Sequence, residues 1–182
     1  MEIGILSTRY AKALFAQAQE EGCEAALYAN LQLLAMQLHQ EPALQTALGN
    51  PVLSAKQKQR LLMIAGGVEV CNLYRRFTEV VIAHHRETYL PFMVQSYLMR
   101  YRKAQRIMRV EVESAVPLST ATRKQLIDRL STASGHQIEL HEVVNPALIG
   151  GFRLRMEGQR IDASFARQLE EIRKQWLNPS LA

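Results

Sequence analysis

The residues able to do covalent or metal chemistry are few, and their spacing keeps them apart. His84 and His85 are adjacent, so on a helix they point in different directions and cannot close on one metal ion. His136 and His141 lie an odd number of positions apart in a strand-like stretch and face opposite sides. Cys23 and Cys71 match no ligand spacing, have no recognisable helper base, and read as reduced, buried thiols in helical segments. The first half of the chain has no aspartate. Asp162 stands out among the carboxylates, and capping the next helix, a role it shares with Ser164, accounts for it. One carboxylate makes no acid–base pair. Gly150-Gly151 precedes no Gly-Lys-Ser/Thr and leads into a strand pattern, so it is not a phosphate loop. The expectation is a protein without catalytic residues, metal or cofactor.

Binding is the remaining class. The net charge is +5 over 182 residues, which permits an acidic partner without requiring one. Arg100, Arg102, Lys103, Arg106 and Arg109 form a basic run, with Arg102, Lys103 and Arg106 close together on a helix. Cations at a helix C-terminus suit the helix dipole, which accounts for the run better than a dedicated anionic partner does. A basic RNA-binding module built on the C-terminal part is the alternative. Glu111, Glu113 and Glu139 on exposed strand faces speak against it, because they repel phosphates. Ala11, Ala13, Ala16 and Ala18 crowd the first helix. Such small side chains either pack a bundle core or let a partner helix approach closely.

The elements that position these residues divide the chain near Arg106. Before it the pattern is helical throughout. Leu6, Tyr10, Ala13, Leu14 and Gln17 share one face of the first helix, and Leu27, Leu31, Leu34 and Leu38 one face of the second. Pro42 suits the first turn of a third, and Ser54 with Gln57 makes a capping box for a fourth. Gly66-Gly67 stops that helix. A fifth carries Leu73, Phe77, Val80, Val81 and His84 on one face, and a sixth carries Met93, Tyr97, Tyr101 and Ala104. Beyond Arg106, Met108, Val110 and Val112 alternate with charged residues, as do Ile138 and Leu140, which is the period of half-buried strands. Between them, Ser119 opens a helix that Gly135 ends. Asn145-Pro146 makes a turn, and Phe152, Leu154 and Met156 begin a hairpin that turns at Glu157-Gly158 and returns through Arg160-Ile161. A last helix runs from Phe165 through Leu169, Ile172 and Trp176 to Pro179. The fold class is therefore α+β in two parts. Residues 1–105 form an all-α bundle of about six helices, and residues 106–182 form a small α/β unit with a mixed sheet. The longest apolar run, around Val80–Ala83, is far short of a membrane span, and no basic-then-apolar leader opens the chain. The chain reads as cytoplasmic and unprocessed.

In order and spacing the motifs resemble those of the delta subunit of F-type ATP synthases, the family of the mitochondrial oligomycin-sensitivity-conferring protein. The resemblance covers essentially the whole chain. It rests on Arg9-Tyr10-Ala11-Lys12-Ala13-Leu14-Phe15, on Asn50-Pro51 with Lys58 and Leu61-Leu62, and on Phe77 and Arg86. It continues through Val112–Leu118 to its most specific pieces, Asn145-Pro146-Ala147-Leu148-Ile149-Gly150-Gly151-Phe152 and Ile161-Asp162-Ala163-Ser164. Arg76, where the family often has Asn, and His85, where it often has Gly, depart from the pattern.

The resemblance implies a non-catalytic stator subunit of a proton-translocating ATP synthase, one copy per complex, without nucleic acid and without direct membrane insertion. It implies that the bundle binds the N-terminal helix of an alpha subunit of the catalytic head, in a groove mapping onto Arg9, Tyr10, Ala13, Leu14, Phe77, Val80 and Val81. It implies that the C-terminal unit, with Asn145, Pro146, Gly150, Gly151, Phe152 and Asp162 as its structural motif, holds the b subunits of the peripheral stalk. The expected place is the cytoplasmic face of a bacterial inner membrane, reached through other subunits.

Overall fold

A computed structural model describes residues 2–156, 159–165, 167 and 169. The chain divides into two compact units between Ala104 and Gln105.

The first unit contains α1 (Glu2–Glu20), α2 (Glu24–Gln40), α3 (Pro42–Gly49), α4 (Ala55–Ala65), α5 (Asn72–Ala83), a 3-10 turn at Glu87–Tyr89, and α6 (Leu90–Ala104). Local chemistry sets most boundaries. Pro42 sits in the first turn of α3, where its missing N–H is no loss. Ser54 and Gln57 form the reciprocal capping box of α4. Cys23 and Cys71 occupy the positions just before α2 and α5, not the helices themselves. Both are half-buried, and burial pushes the Cys23 thiol up, away from the reactive thiolate.

Leu27, Leu31, Leu34, Tyr74, Val81, Leu90 and Tyr97 are fully enclosed at the centre of the bundle. The two tyrosines keep their hydroxyls satisfied, Tyr74 donating to the Leu62 carbonyl at 2.7 Å. Burial raises both phenols above the usual range. Asn30, also buried, donates to the carbonyls of Gly66 (3.0 Å) and Glu69 (2.8 Å) and accepts from the Cys71 amide (3.1 Å). That single side chain fixes the loop that launches α5. A buried ion pair, Lys58 Nζ to Glu87 Oε1 at 2.7 Å, fixes the turn that follows α5.

The second unit contains β1 (Ile107–Ser114), α7 (Thr120–Ser134), β2 (Gln137–Val144), a 3-10 turn at Pro146–Leu148, β3 (Gly151–Met156) and β4 (Gln159–Ser164). Sheet order is β2-β1-β3-β4, with β1 and β2 parallel and the other neighbours antiparallel. The mixed sheet follows from connection length: α7 provides the crossover a parallel pair needs. Ser119 caps α7, accepting from the Thr122 amide, and left-handed Gly135 ends it. Val110, Val112 and Leu154 form the core, with Leu126 and Leu130 of α7 packed on them. His136 lies just before β2, so the histidine spacing expected within one strand does not arise. The expected turn at Glu157-Gly158 and most of the last helix lie outside the described residues.

Candidate partner-binding surfaces

The first helix buries a different stripe from the one its apolar periodicity suggests. Ser7, Ala11, Leu14, Phe15 and Ala18 are buried, whereas Ala13 and Gln17 are exposed. The buried face is displaced from the expected one by one residue, about 100° around the helix, because alanine carries no signal of which way it points. α1 packs along α6 and meets α5 only at its edge.

The resemblance maps its groove between α1 and α5. Of the mapped residues, Leu14, Phe77 and Val81 are buried. Ala13 stands exposed on one rim, and Val80, 44% exposed, on the other. Tyr10 is half-buried at one end, and Arg9 is exposed beside it. The seven residues mapped by the resemblance thus split into buried, half-buried and exposed. Arg76, a departure from the family pattern, pairs with Glu21 across the gap. That contact and a hydrogen bond from Gln17 hold the Glu21 carboxyl below its ordinary range. Its charge is answered at the edge of the groove.

The end of α5 differs from expectation. The helix stops at Ala83, and His84 and His85 are not on it. His84 Nδ1 is 2.8 Å from the Val80 carbonyl, which accepts. His85 is left-handed, with φ 53°. This is a conformation that favours glycine, and here histidine adopts it.

Sequence reasoning missed a second concavity. A cleft of about 520 Å³ runs between α1 and α6, lined by Thr8, Ala11, Phe15, Ser96, Met99, Arg100, Lys103 and Ala104. Its signal is the run of small residues on both helices, which leaves space where side chains would meet. The basic run does not form one cluster. Arg102 donates to the Tyr28 hydroxyl at 3.0 Å. Arg106 lies past the helix in a left-handed conformation, and Arg109 is on β1.

In the second unit the specific motif is architectural. Asn145 Oδ1 accepts from the Ala147 amide at 3.0 Å, and its Nδ2 donates to Glu113 at 2.5 Å. Pro146 opens the 3-10 turn. A Cβ on Gly151 (φ 74°) would stand 2.2 Å from the Ala163 carbonyl oxygen, and one on Gly150 2.5 Å from the Phe165 ring. Only glycine fits at 151, against backbone; at 150 a side chain would require the exposed Phe165 ring to move. Phe152, on β3, is 38% exposed. Asp162 is not the helix cap. It lies within β4 opposite Arg153, pairs with it at 2.9 Å, and accepts from the Ser164 hydroxyl at 2.7 Å. Ser164 in turn accepts from the Arg167 amide at 3.4 Å, so the capping role is its own. The Ser164 hydroxyl, then the Arg153 guanidinium, draw the Asp162 carboxyl down to about 2.

The likeness to known proteins is close. A family model described as ATP synthase delta (OSCP) subunit matches residues 6–176. The chain belongs to the ATP synthase delta (OSCP) subunit family. ATP synthase subunit delta of Parabacteroides distasonis is 47% identical over 95% of this chain and 96% of its own length. Its counterpart in Bacteroides thetaiotaomicron is 37% identical over 98% and 97%. A chain of the Toxoplasma gondii mitochondrial ATP synthase hexamer shares the fold with TM-score 0.66, covering 94% of this chain and 97% of that one at 23% identity. The half-buried carboxylates Glu111, Glu113 and Asp162 are structural partners. Arg153 is taken by Glu113 and Asp162, and Arg155 by Glu111, so nothing supports the RNA-binding alternative.

Proposed function

We propose that this subunit ties the head of its ATP synthase to the peripheral stalk through two separate surfaces. The groove between α1 and α5 takes the N-terminal helix of an alpha subunit. The C-terminal unit, residues 106–182, holds the ends of the b subunits. One copy serves each complex, at the cytoplasmic face of the inner membrane, held there by other subunits. Among the described residues no helix is long and apolar enough to cross a membrane. As a delta subunit the chain is a structural stator component and not an enzyme.

The observation that supports the reading is apolar side chains left exposed beside a buried apolar cluster. Leu14, Phe77 and Val81 are buried, and Ala13 and Val80, next to them in sequence, are the exposed rim. A helix laid there would bury that rim on both sides. A stator must hold against torque, so slow dissociation matters more than chemistry. Shape-matched apolar burial on a preformed groove provides it, because little is lost to ordering.

The test is purification of the tagged chain from detergent-solubilised membranes of its source, with partners identified by mass. Alpha, beta and b subunits should co-purify in a stable complex. Recovery of the chain alone, from membranes whose ATP synthase is demonstrably intact, would refute the reading.

A further inference from the structure

Two arginines reach α1 from opposite ends of α5. Arg76, in the second turn of α5, pairs with Glu21 just past the end of α1. Arg86, just past the end of α5, donates to the Tyr10 hydroxyl, and its guanidinium carbon lies 5.4 Å from the centre of the Tyr10 ring. Tyr10 and Glu21 are separated by about 16 Å along the helix at 1.5 Å per residue, or roughly three turns.

The two ends differ in charge. Arg76 is answered by Glu21. Arg86 is half-buried, and its partners among the described residues are the hydroxyl and ring of Tyr10, neither negatively charged. The neighbouring carboxylate, Glu87, is committed to Lys58. Arg86 is aimed by the turn that ends α5. Its amide donates to the Val81 carbonyl and the His85 amide to the Ile82 carbonyl, both at 3.0 Å. These are the paired bonds of a Schellman turn, which reverses the chain toward α1. A half-buried guanidinium with donors to spare and no counter-charge suits a carboxylate from outside.

We propose that Arg86 is the specificity-determining residue of the groove, receiving a carboxylate of the docked helix. The helix's apolar stripe then fills the three turns between Tyr10 and Glu21. The inference rests on the helix-docking reading above. Because Arg76 is already neutralised, a helix with its carboxylate near one end docks in one direction only.

The probe is a synthetic peptide of the N-terminal helix of the alpha subunit from the same ATP synthase, titrated into the full chain by calorimetry. Each Asp and Glu of the peptide is replaced in turn by its amide. One replacement should weaken binding to the wild-type chain by about tenfold, the scale of one hydrogen bond to a charged group. The same replacement should leave affinity for Arg86→Gln unchanged, a coupling that a merely structural arginine would not produce. Arg86→Lys should restore part of the discrimination. The peptide scan against the wild-type chain stands even if a variant misfolds. If no amide replacement weakens that binding, the proposal is overturned. Equal losses in wild type and a folded Arg86→Gln chain overturn it as well. A peptide that does not bind the wild-type chain at all removes the docking reading itself, and this inference with it.

Discussion

The groove of the bundle and the outer face of the sheet are both exposed surfaces, and they are finished in opposite ways. On the sheet, every described arginine of β3 has a carboxylate opposite it: Arg153 meets Glu113 and Asp162, each at 2.9 Å, and Arg155 meets Glu111 at 3.5 Å. Those charges are answered within the sheet. Between α1 and α5 the exposed side chains are alanine and valine beside buried apolar residues, and among the described residues the ion pair there is Glu21–Arg76. That is the surface we propose for docking. Charges whose partners stand in register are answered within the fold, whereas exposed apolar side chains are not.

The largest effect should come from Ala13→Asp. In the docked state its carboxylate would be desolvated without a partner, a penalty of about 3–5 kcal/mol. Binding to the isolated catalytic head should fall beyond detection in a sedimentation assay, while the thermal transition of the free chain moves little because Ala13 is exposed. Unfolding of the variant would instead make Ala13 part of the core and collapse the contrast. A comparable loss, now of stability, should follow Leu154→Ala in the sheet. This residue is 4% exposed between Val110 and Val112, and its truncation should destabilise the second unit by about 3 kcal/mol. Hydrogen exchange of the β1 and β3 amides measures that directly.

These two residues also show what was legible in the sequence. Leu154 could be placed at once, since alternation with Arg153 and Arg155 leaves one face for it. So could every boundary set by a local contact: Pro42, the Ser54–Gln57 box, Ser119 and Gly135. Ala13 could not, because periodicity tells which residues share a face and not whether a neighbouring helix covers it. Asp162 was misread for a related reason. Its partner Arg153 is a hairpin away, and only the β3–β4 register brings the two together. The end of α5 was set two residues early by a turn whose left-handed residue is His85, an identity that gives no local warning. The groove as a site came from the family resemblance, and the cleft beside α6 from neither source.

Acid should separate the two surfaces by a smaller amount. In the second unit Glu113, Glu142 and Asp162 are all held below their ordinary range, Glu113 first by Asn145 and then Arg153, Glu142 first by the Leu118 amide and then Arg123. A carboxyl whose folded value is depressed stabilises the fold above its unfolded value and loses that contribution as pH falls through the folded one. For Asp162 the window runs from its ordinary 3.8 down to about 2. Protection of the β3 and β4 amides should therefore decline across that range, and Asp162→Asn should flatten the decline. An unchanged profile in the variant would mean that the Arg153 pair contributes nothing to the sheet.

The smallest expected effects lie where the two groove helices end. α1 and α5 close with the same turn. At α1 the Cys23 amide donates to the Ala18 carbonyl at 3.0 Å and the Gly22 amide to the Gln19 carbonyl at 3.3 Å, as Arg86 and His85 do at α5. The left-handed residue is Gly22 (φ 63°) in the first and His85 (φ 53°) in the second. A side chain in that conformation costs about 1–2 kcal/mol, while glycine gives back about 0.5–1 kcal/mol through its freer unfolded chain. His85→Gly should thus stabilise the bundle by about 0.5–1 kcal/mol, and Gly22→Ala should destabilise it by about the same. A Cβ at Gly22 meets nothing within 4 Å, so its penalty is backbone strain alone. Denaturant titration of the full chain, read from the α1 and α5 amides, gives both signs in one experiment. If His85→Gly instead weakens the bundle, the histidine makes a contact worth more than its strain. The end of the groove that aims Arg86 would then be held by His85 as well as by its backbone.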